Sequence, residues 1–208
     1  MEKMLVTQGL NELSLLDSRI NKAINNGAFI SPAKTNEKKV TPNKTKEAFA
    51  SEARAAYQSI LDLIARRDRI KKAIVASNAV TEVKINGETM TVASAIELKS
   101  SITYKELLLE ELKDQHKGAV FAVNQKNVEL EHKIDNFVSQ NISGKDSKAK
   151  KEDYDELVKP IRFAGEYSLV DPLNITDVIH ELDKYIEGFK SEVDSVLQIS
   201  NCTTWIEF

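Results

Sequence analysis

The chain has 208 residues, of which 29% are charged and only 6% aromatic, with seven glycines and four prolines. That balance argues against a thick, aromatic-rich core and suits long solvated helices in one domain or two small ones. A net charge of −3 provides no basic field for non-specific nucleic-acid binding, and no segment approaches the roughly 18 apolar residues of a membrane span.

The single cysteine, Cys202, leaves no partner for an intrachain disulfide and fits a reducing compartment. The opening residues, MEKMLVTQGLNELSLLDSRI, lack the continuous apolar stretch and small-residue cleavage site of a signal peptide. A cytoplasmic protein is expected, with no cofactor and neither nucleic acid nor membrane as a partner.

In chain order, the first helix is expected from Thr7 to Asn25, with Leu10, Leu13, Leu16, Ile20 and Ile24 on one face. Asn25, Asn26 and Gly27 supply its stop, because Asn and Gly accept the left-handed conformation. The next stretch, SPAKTNEKKVTPNKTK, has two prolines, many lysines and no periodicity, so 31–47 reads as a polar linker or lid. A second helix follows, on which Phe49, Ala53, Ala56, Ile60, Leu63, Arg67, Ile70 and Ile74 form an uninterrupted heptad seam. Arg67 stands where an apolar residue is expected and could mark register, an ion pair or a ligand, or merely snorkel to solvent.

The stretch VTEVKINGETMTV breaks the helical pattern. Val83 and Ile85 alternate with polar residues before Asn86-Gly87, and Met90 and Val92 do so after it. Asn-Gly is the strongest two-residue hairpin signal, since a type I′ turn needs positive φ at both central positions. A hairpin over 81–92 is expected, with Thr91 capping the following helix. A lone hairpin is marginal in water, so it must pack on helix ends or pair with another subunit.

The third helix is expected from Ala93 to Gln140, a length of about 70 Å. Its seam reads Leu98, Ile102, Lys105, Leu109, Leu112, His116, Ala119, Val123, Asn127, Leu130, Ile134 and Phe137. Lys105, His116 and Asn127 interrupt it, as polar seam residues that fix register do. A polar insertion occupies 141–165, with its connector over Asn141–Asp153, and a short strand follows at Tyr167–Val170. Asn174, with Asp177 three residues on, opens the last helix in the manner of a capping box. Ile175, Val178, Leu182, Tyr185, Phe189, Val193 and Val196 form its stripe, and Thr203–Phe208 reads as a terminal strand. The fold class is therefore mostly α. It has about four long antiparallel, coiled-coil-like helices, a β-hairpin at one end and short strands near the C-terminus, in one elongated domain over 1–208.

This order of parts resembles the septicolysin-like family of small bacterial and phage-borne helical-hairpin proteins. The resemblance rests on LIARRDRIKKAIVASNAV leading into INGETMTVASAIELK, and on a last helix ending in SNCTTWIEF. It covers most of the chain, which departs from it by a longer linker at Ser31–Lys46 and an insertion around Asn141–Gly165. It implies that a viral setting fits; it carries no catalytic residues over.

Metal binding is the sharpest catalytic suspicion, since Glu129 with His132 and Asp177 with His180 have the i, i+3 spacing of carboxylate-bridged di-iron bundles. The helical wheel opposes it: each histidine lies two residues, about 200°, from a seam position and points outward. Cys202 has no histidine in sequence reach, and no nucleophile-elbow or phosphate-loop motif is present. No catalytic or metal residue is assigned, and no enzyme is expected.

Arg66, Arg67, Arg69, Lys71 and Lys72 make a dense basic run that could hold an anion between subunits, or could be a solvated face. Asn78 and Thr81 on one side, and Asn201, Thr203 and Thr204 on the other, can meet if the second and last helices run alongside each other. They would then line a pocket, or simply satisfy backbone groups where helices turn into strands. Arg67, Asn78, Thr81, Lys105, His116, Asn201, Thr203 and Thr204 are the candidate ligand residues. The expected protein is a non-enzymatic homo-oligomer, phage-borne, that sequesters a small anionic nucleotide-derived signal in the host cytoplasm as an anti-defence sponge. The alternative is a virion or scaffold component that assembles through helix seams and strand edges.

Overall fold

The computed structural model describes residues 2–141 and 151–208. In chain order the elements are β1 (Lys3–Leu5), α1 (Val6–Asn26), β2 (Lys39–Thr41), β3 (Lys44–Thr45), α2 (Lys46–Val80), β4 (Glu82–Ile85), β5 (Glu88–Thr91), α3 (Val92–Asn141), α4 (Lys151–Gly165), α5 (Ile175–Thr203) and β6 (Trp205–Glu207). The protein is mostly α with small antiparallel strand pairs, as the periodicity implies. Its residues group into two compact units, Met1–Ser100 with Gly188–Phe208, and Ser101–Glu187, where the sequence pattern points to one domain.

In the first unit α1 packs on α2. The α2 seam holds: Ile60, Ile70 and Ile74 are buried, and Phe49, Ala53, Ala56, Leu63 and Arg67 are half-buried. The α1 face needs correction. Leu10 and Ile24 are exposed, and the buried positions are Val6, Gly9, Leu13 and Leu16, with Ile20 half-buried. Gly9 takes the seam position because a Cβ there would lie 3.2 Å from both Ile206 Cδ1 and Ile74 Cδ1. The glycine thus lets α1, α2 and β6 close on one another.

Gly27 is not left-handed either. It is extended at φ −72°, and its N–H donates to Ile24 O. A Cβ there would collide with the Phe29 ring, so the ring's return across the chain is what requires glycine.

The segment 31–47 carries more structure than a linker. β2 and β3 form a small hairpin, and α2 begins at Lys46 with Thr45 Oγ1 accepting from Ala48 N–H at 3.1 Å. Lys46 Nζ also donates back to Lys34 O at 2.6 Å. Such short pairs leave no periodicity for a sequence pattern to report.

The expected hairpin is present, with Val83 opposite Met90 and Ile85 opposite Glu88. Asn86 (φ +50°) and Gly87 (φ +80°) occupy the turn, both left-handed as the type I′ geometry requires. Thr91 Oγ1 accepts from Ser94 N–H at 3.1 Å, which caps α3. The hairpin docks on its own chain: Asn86 N–H donates to Glu192 Oε2 at 2.6 Å, and Gly188 leaves room for the Asn86 side chain. Lys99 also pairs with Asp194. Ile85, Val92, Ala95, Phe189 and Val193 are all buried. Gly87→Val forces a β-branched residue into positive φ and should cost about 1–2 kcal/mol, read as an earlier melt by circular dichroism.

β1 and β6 pair antiparallel, with Met4 opposite Ile206. The terminal strand is expected from the sequence; its partner β1 is not, being too short to alternate visibly.

In the second unit the insertion 141–165 includes a helix, α4, while the connector residues 142–150 lie outside the described residues. Val158 of α4 joins Leu130 and Ile134 of α3 in a buried cluster. Arg162 grips Glu131 through Nε at 3.1 Å and Nη2 at 2.9 Å. Pro160 inside α4 masks its helical signal. No strand forms at Tyr167–Val170. Tyr167 instead clamps Asn127, its N–H donating to Asn127 Oδ1 at 2.8 Å and its carbonyl accepting from Asn127 Nδ2 at 2.9 Å.

The start of α5 is corrected too: Asn174 is left-handed (φ +52°), and the Asp171 carboxylate accepts from Ile175 N–H at 2.8 Å. Asp171→Ala should therefore cost about 1 kcal/mol, the usual worth of a helix cap, checked by chemical denaturation.

Candidate functional site

The polar ends of α2 and α5 meet within the first unit. Thr81, Glu82 and Val83 face Val196, Ile199, Ser200, Thr203 and Thr204 across an open groove of about 290 Å³. Thr81 lies at the α2 C-terminus because its N–H closes on Ser77 O and its carbonyl receives Val92 N–H, at 2.9 and 2.8 Å. Thr203 and Thr204 lie where α5 passes into β6; Thr204 N–H donates to Ser200 O and its carbonyl receives Val6 N–H, each at 2.9 Å. Thr203 Oγ1 donates to Ile199 O at 2.9 Å, and Ser77 and Thr81 hydroxyls stand 3.5 Å apart. The hydroxyls thus serve the junctions themselves, as side chains competing for local backbone groups do.

Three of the eight candidate ligand residues, Thr81, Thr203 and Thr204, line this groove. Asn78 and Asn201 are half-buried on the same two helices but do not line it. Among the described residues the one charged lining residue is Glu82, so these offer hydroxyls and a carboxylate and no cationic side chain.

Arg67 is elsewhere, on the α1 side of α2. Its Nε donates to Asp17 Oδ1 at 2.5 Å, and Nη1 lies 3.6 Å from Asp68. Of the four readings open for a seam arginine, the geometry is that of an ion pair. Hydrogen bonding to Asp17 holds its guanidinium more firmly protonated than an ordinary arginine.

The stronger cationic centre is its neighbour. Arg66 donates through both terminal nitrogens to Glu2, at 2.9 and 2.8 Å, and through Nε to Glu12 at 2.5 Å. Its guanidinium also lies 5.7 Å from the Phe208 ring centroid. One side chain therefore ties α2 to the β1 end, to α1 and to the β6 end. The sequence places Arg66 only in the basic run, although Leu63, Arg66 and Ile70 follow the same three-four spacing as the seam.

Arg66 lowers the Glu2 carboxyl below its ordinary 4.5, first by hydrogen bonding. A depressed carboxylate stabilises the fold above its unfolded value and loses that contribution as pH falls through the folded one. Arg66→Met should lower stability modestly at neutral pH, because the Glu2 and Glu12 pairs it removes are partly solvated. The gap from wild type should close below pH 4.5, measured by denaturation at both pH values.

Lys105 and His116 belong to the second unit. Lys105 Nζ lies 3.8 Å from the Tyr185 ring centroid, over its face. His116 lines a cavity of about 160 Å³ with Gln115, Ala119, Leu169, Val170, Asp171 and Ile175. With Asn127 held by Tyr167, each polar interruption of the α3 seam meets a feature of the 167–185 segment, and this explains their place on the seam. His132 and His180 are exposed, as the wheel places them. Among the described residues no group of three or more His, Cys, Asp or Glu is positioned to hold a metal ion, and no helix is long and apolar enough to cross a membrane.

Fold and site together define a mostly α protein with docked hairpins, whose Arg66, Arg67 and Arg162 are engaged in intrachain ion pairs. Compared with family models, curated proteins and solved structures, the chain matches none. The septicolysin-like resemblance therefore rests on the quoted motifs alone.

Proposed function

We propose that this is a non-enzymatic helical protein that acts by self-association, as a scaffold or virion component. The carrying observation is where charge and apolar surface end up. Arg66 and Arg67 are spent inside the chain, while Tyr104, Leu107, Leu108, Phe121 and Val128 of α3 all stand more than half exposed. Large apolar side chains repeated along one helix favour a protein partner over solvent. Sedimentation velocity over a wide range of dilution tests the reading. A discrete oligomer or an open-ended assembly supports it, and a monomer at every concentration refutes it.

A second reading, sequestration of a small ligand by such an oligomer, is favoured by the groove at Thr81, Thr203 and Thr204. Its lining suits hydroxyl-to-ligand hydrogen bonds, but Glu82 opposes an anionic nucleotide there. If that groove is the site, Thr203→Val should weaken ligand uptake in calorimetry while the oligomer persists.

A further inference from the structure

Two helix C-termini converge on the groove at Thr81. Thr81 caps the end of α2, Thr203 is the last residue of α5, and neither helix has a basic residue in its final turn. The terminal carbonyls of a helix lack intrahelical donors and together carry about half a negative charge. Glu82 adds a carboxylate at the same place, and among the described residues it has no ion-pair partner. Lys84, the one cation of β4, does not line the groove. Two helix ends and a carboxylate therefore meet with no cationic lining residue, among those described, to balance them.

The hydrogen bonding of the lining points the same way. Thr81 N–H and Thr204 N–H are both taken up by helix carbonyls, at 2.9 Å each. The Thr203 hydroxyl gives its hydrogen to Ile199 O at 2.9 Å, so it offers a ligand only lone pairs. The Ser200 and Thr204 hydroxyls can turn to accept as well. A ligand that satisfies these groups has to bring the hydrogens itself. Beside the acceptors, Val83, Val196 and Ile199 supply aliphatic walls, and Ile199 is 63% exposed.

We infer that this groove takes a small primary ammonium carried on an aliphatic stem. The inference rests on the second reading above and names its class of ligand. The ammonium presents three N–H donors to Glu82 and the threonine oxygens, while the stem lies along Val83 and Ile199. A volume of about 290 Å³ is at the small end of the range for ligand sites. Because the groove is open, such a ligand exchanges with solvent and is lost on purification.

Calorimetry on the full chain with n-pentylammonium, n-pentanol and pentanoate tests this, since the three share a stem and differ in charge. Pentylammonium should bind at one site per chain, and the other two should not bind. Glu82→Gln should weaken it roughly three- to tenfold, as expected for a charge-assisted contact open to solvent. Glu88→Gln, on the same hairpin but outside the groove, should leave it unchanged. Equal weakening in both variants would mean diffuse attraction to a negative chain and overturns the site. Pentanol or pentanoate binding as tightly as pentylammonium overturns the ammonium and leaves the groove as a ligand site. No binding of any of the three overturns both the inference and the groove reading, with self-association left standing.

Discussion

Ile70→Ala should lower stability by about 3 kcal/mol, within the range for truncating a buried isoleucine in a core that cannot close around the gap. Ile70 is fully buried, in a cluster with Val6, Leu13, Leu16, Ile74 and Ile206 drawn from α1, α2 and β6. Collapse is restricted because these neighbours come from three elements whose backbones are pinned by the β1–β6 ladder and the Arg66 ion pairs. For a chain of this size, 3 kcal/mol corresponds to a drop of roughly 6–12 °C in Tm. Val75→Ala, five residues along the same helix and 56% exposed, should change little. Equal effects at the two positions in thermal melts would contradict the assignment of the core.

Gly9→Leu is the second large effect, and it acts by crowding. An added Cβ already sits 3.2 Å from Ile206 and Ile74 and 3.4 Å from Ile70. Alanine is tolerable, because the contacted atoms are side-chain ends and the gain in helix propensity offsets the squeeze. Leucine has no space, and overpacking of this kind costs about 1–3 kcal/mol. The nearest yielding element is β6, only three residues long. The lone tryptophan, Trp205, lies on that strand, 5.8 Å from Lys3 Nζ. Its fluorescence should shift in Gly9→Leu and stay near wild type in Gly9→Ala. An unchanged spectrum in the leucine variant would mean that β6 does not pack on Gly9.

What could be read from the residues follows physical rules. Long elements announce themselves: the expected bounds of α1 and α3 fall within about one residue of those observed, because their apolar spacing repeats many times. The β4–β5 hairpin was legible from Asn86-Gly87, whose backbone demand few other dipeptides meet. Short elements were not: β1, β2 and β3 have two or three residues each, too few for alternation to stand out. α4 was hidden by Pro160 and by its charged composition. The candidate site was only partly legible. Helix order could bring Thr81 near Thr203 and Thr204, but it could not reveal that Arg67 faces Asp17, or that Arg66 gathers Glu2, Glu12 and Phe208 from distant parts of the chain.

The functional account turns on one contrast, between cations that have found partners inside the chain and an apolar helix face that has not. Had Arg66 and Arg67 pointed into an enclosed cavity, a bound anion would have been the natural conclusion. Their engagement with Glu2, Glu12 and Asp17 instead gives them a role in holding α1, α2 and both strand ends together.

Native mass spectrometry of the untagged protein, compared with its mass after denaturation, tests the central claim most directly. A discrete ligand-free oligomer, or a series of larger assemblies, is the predicted result. A monomer that carries extra mass with a nucleotide-like ultraviolet spectrum would contradict it.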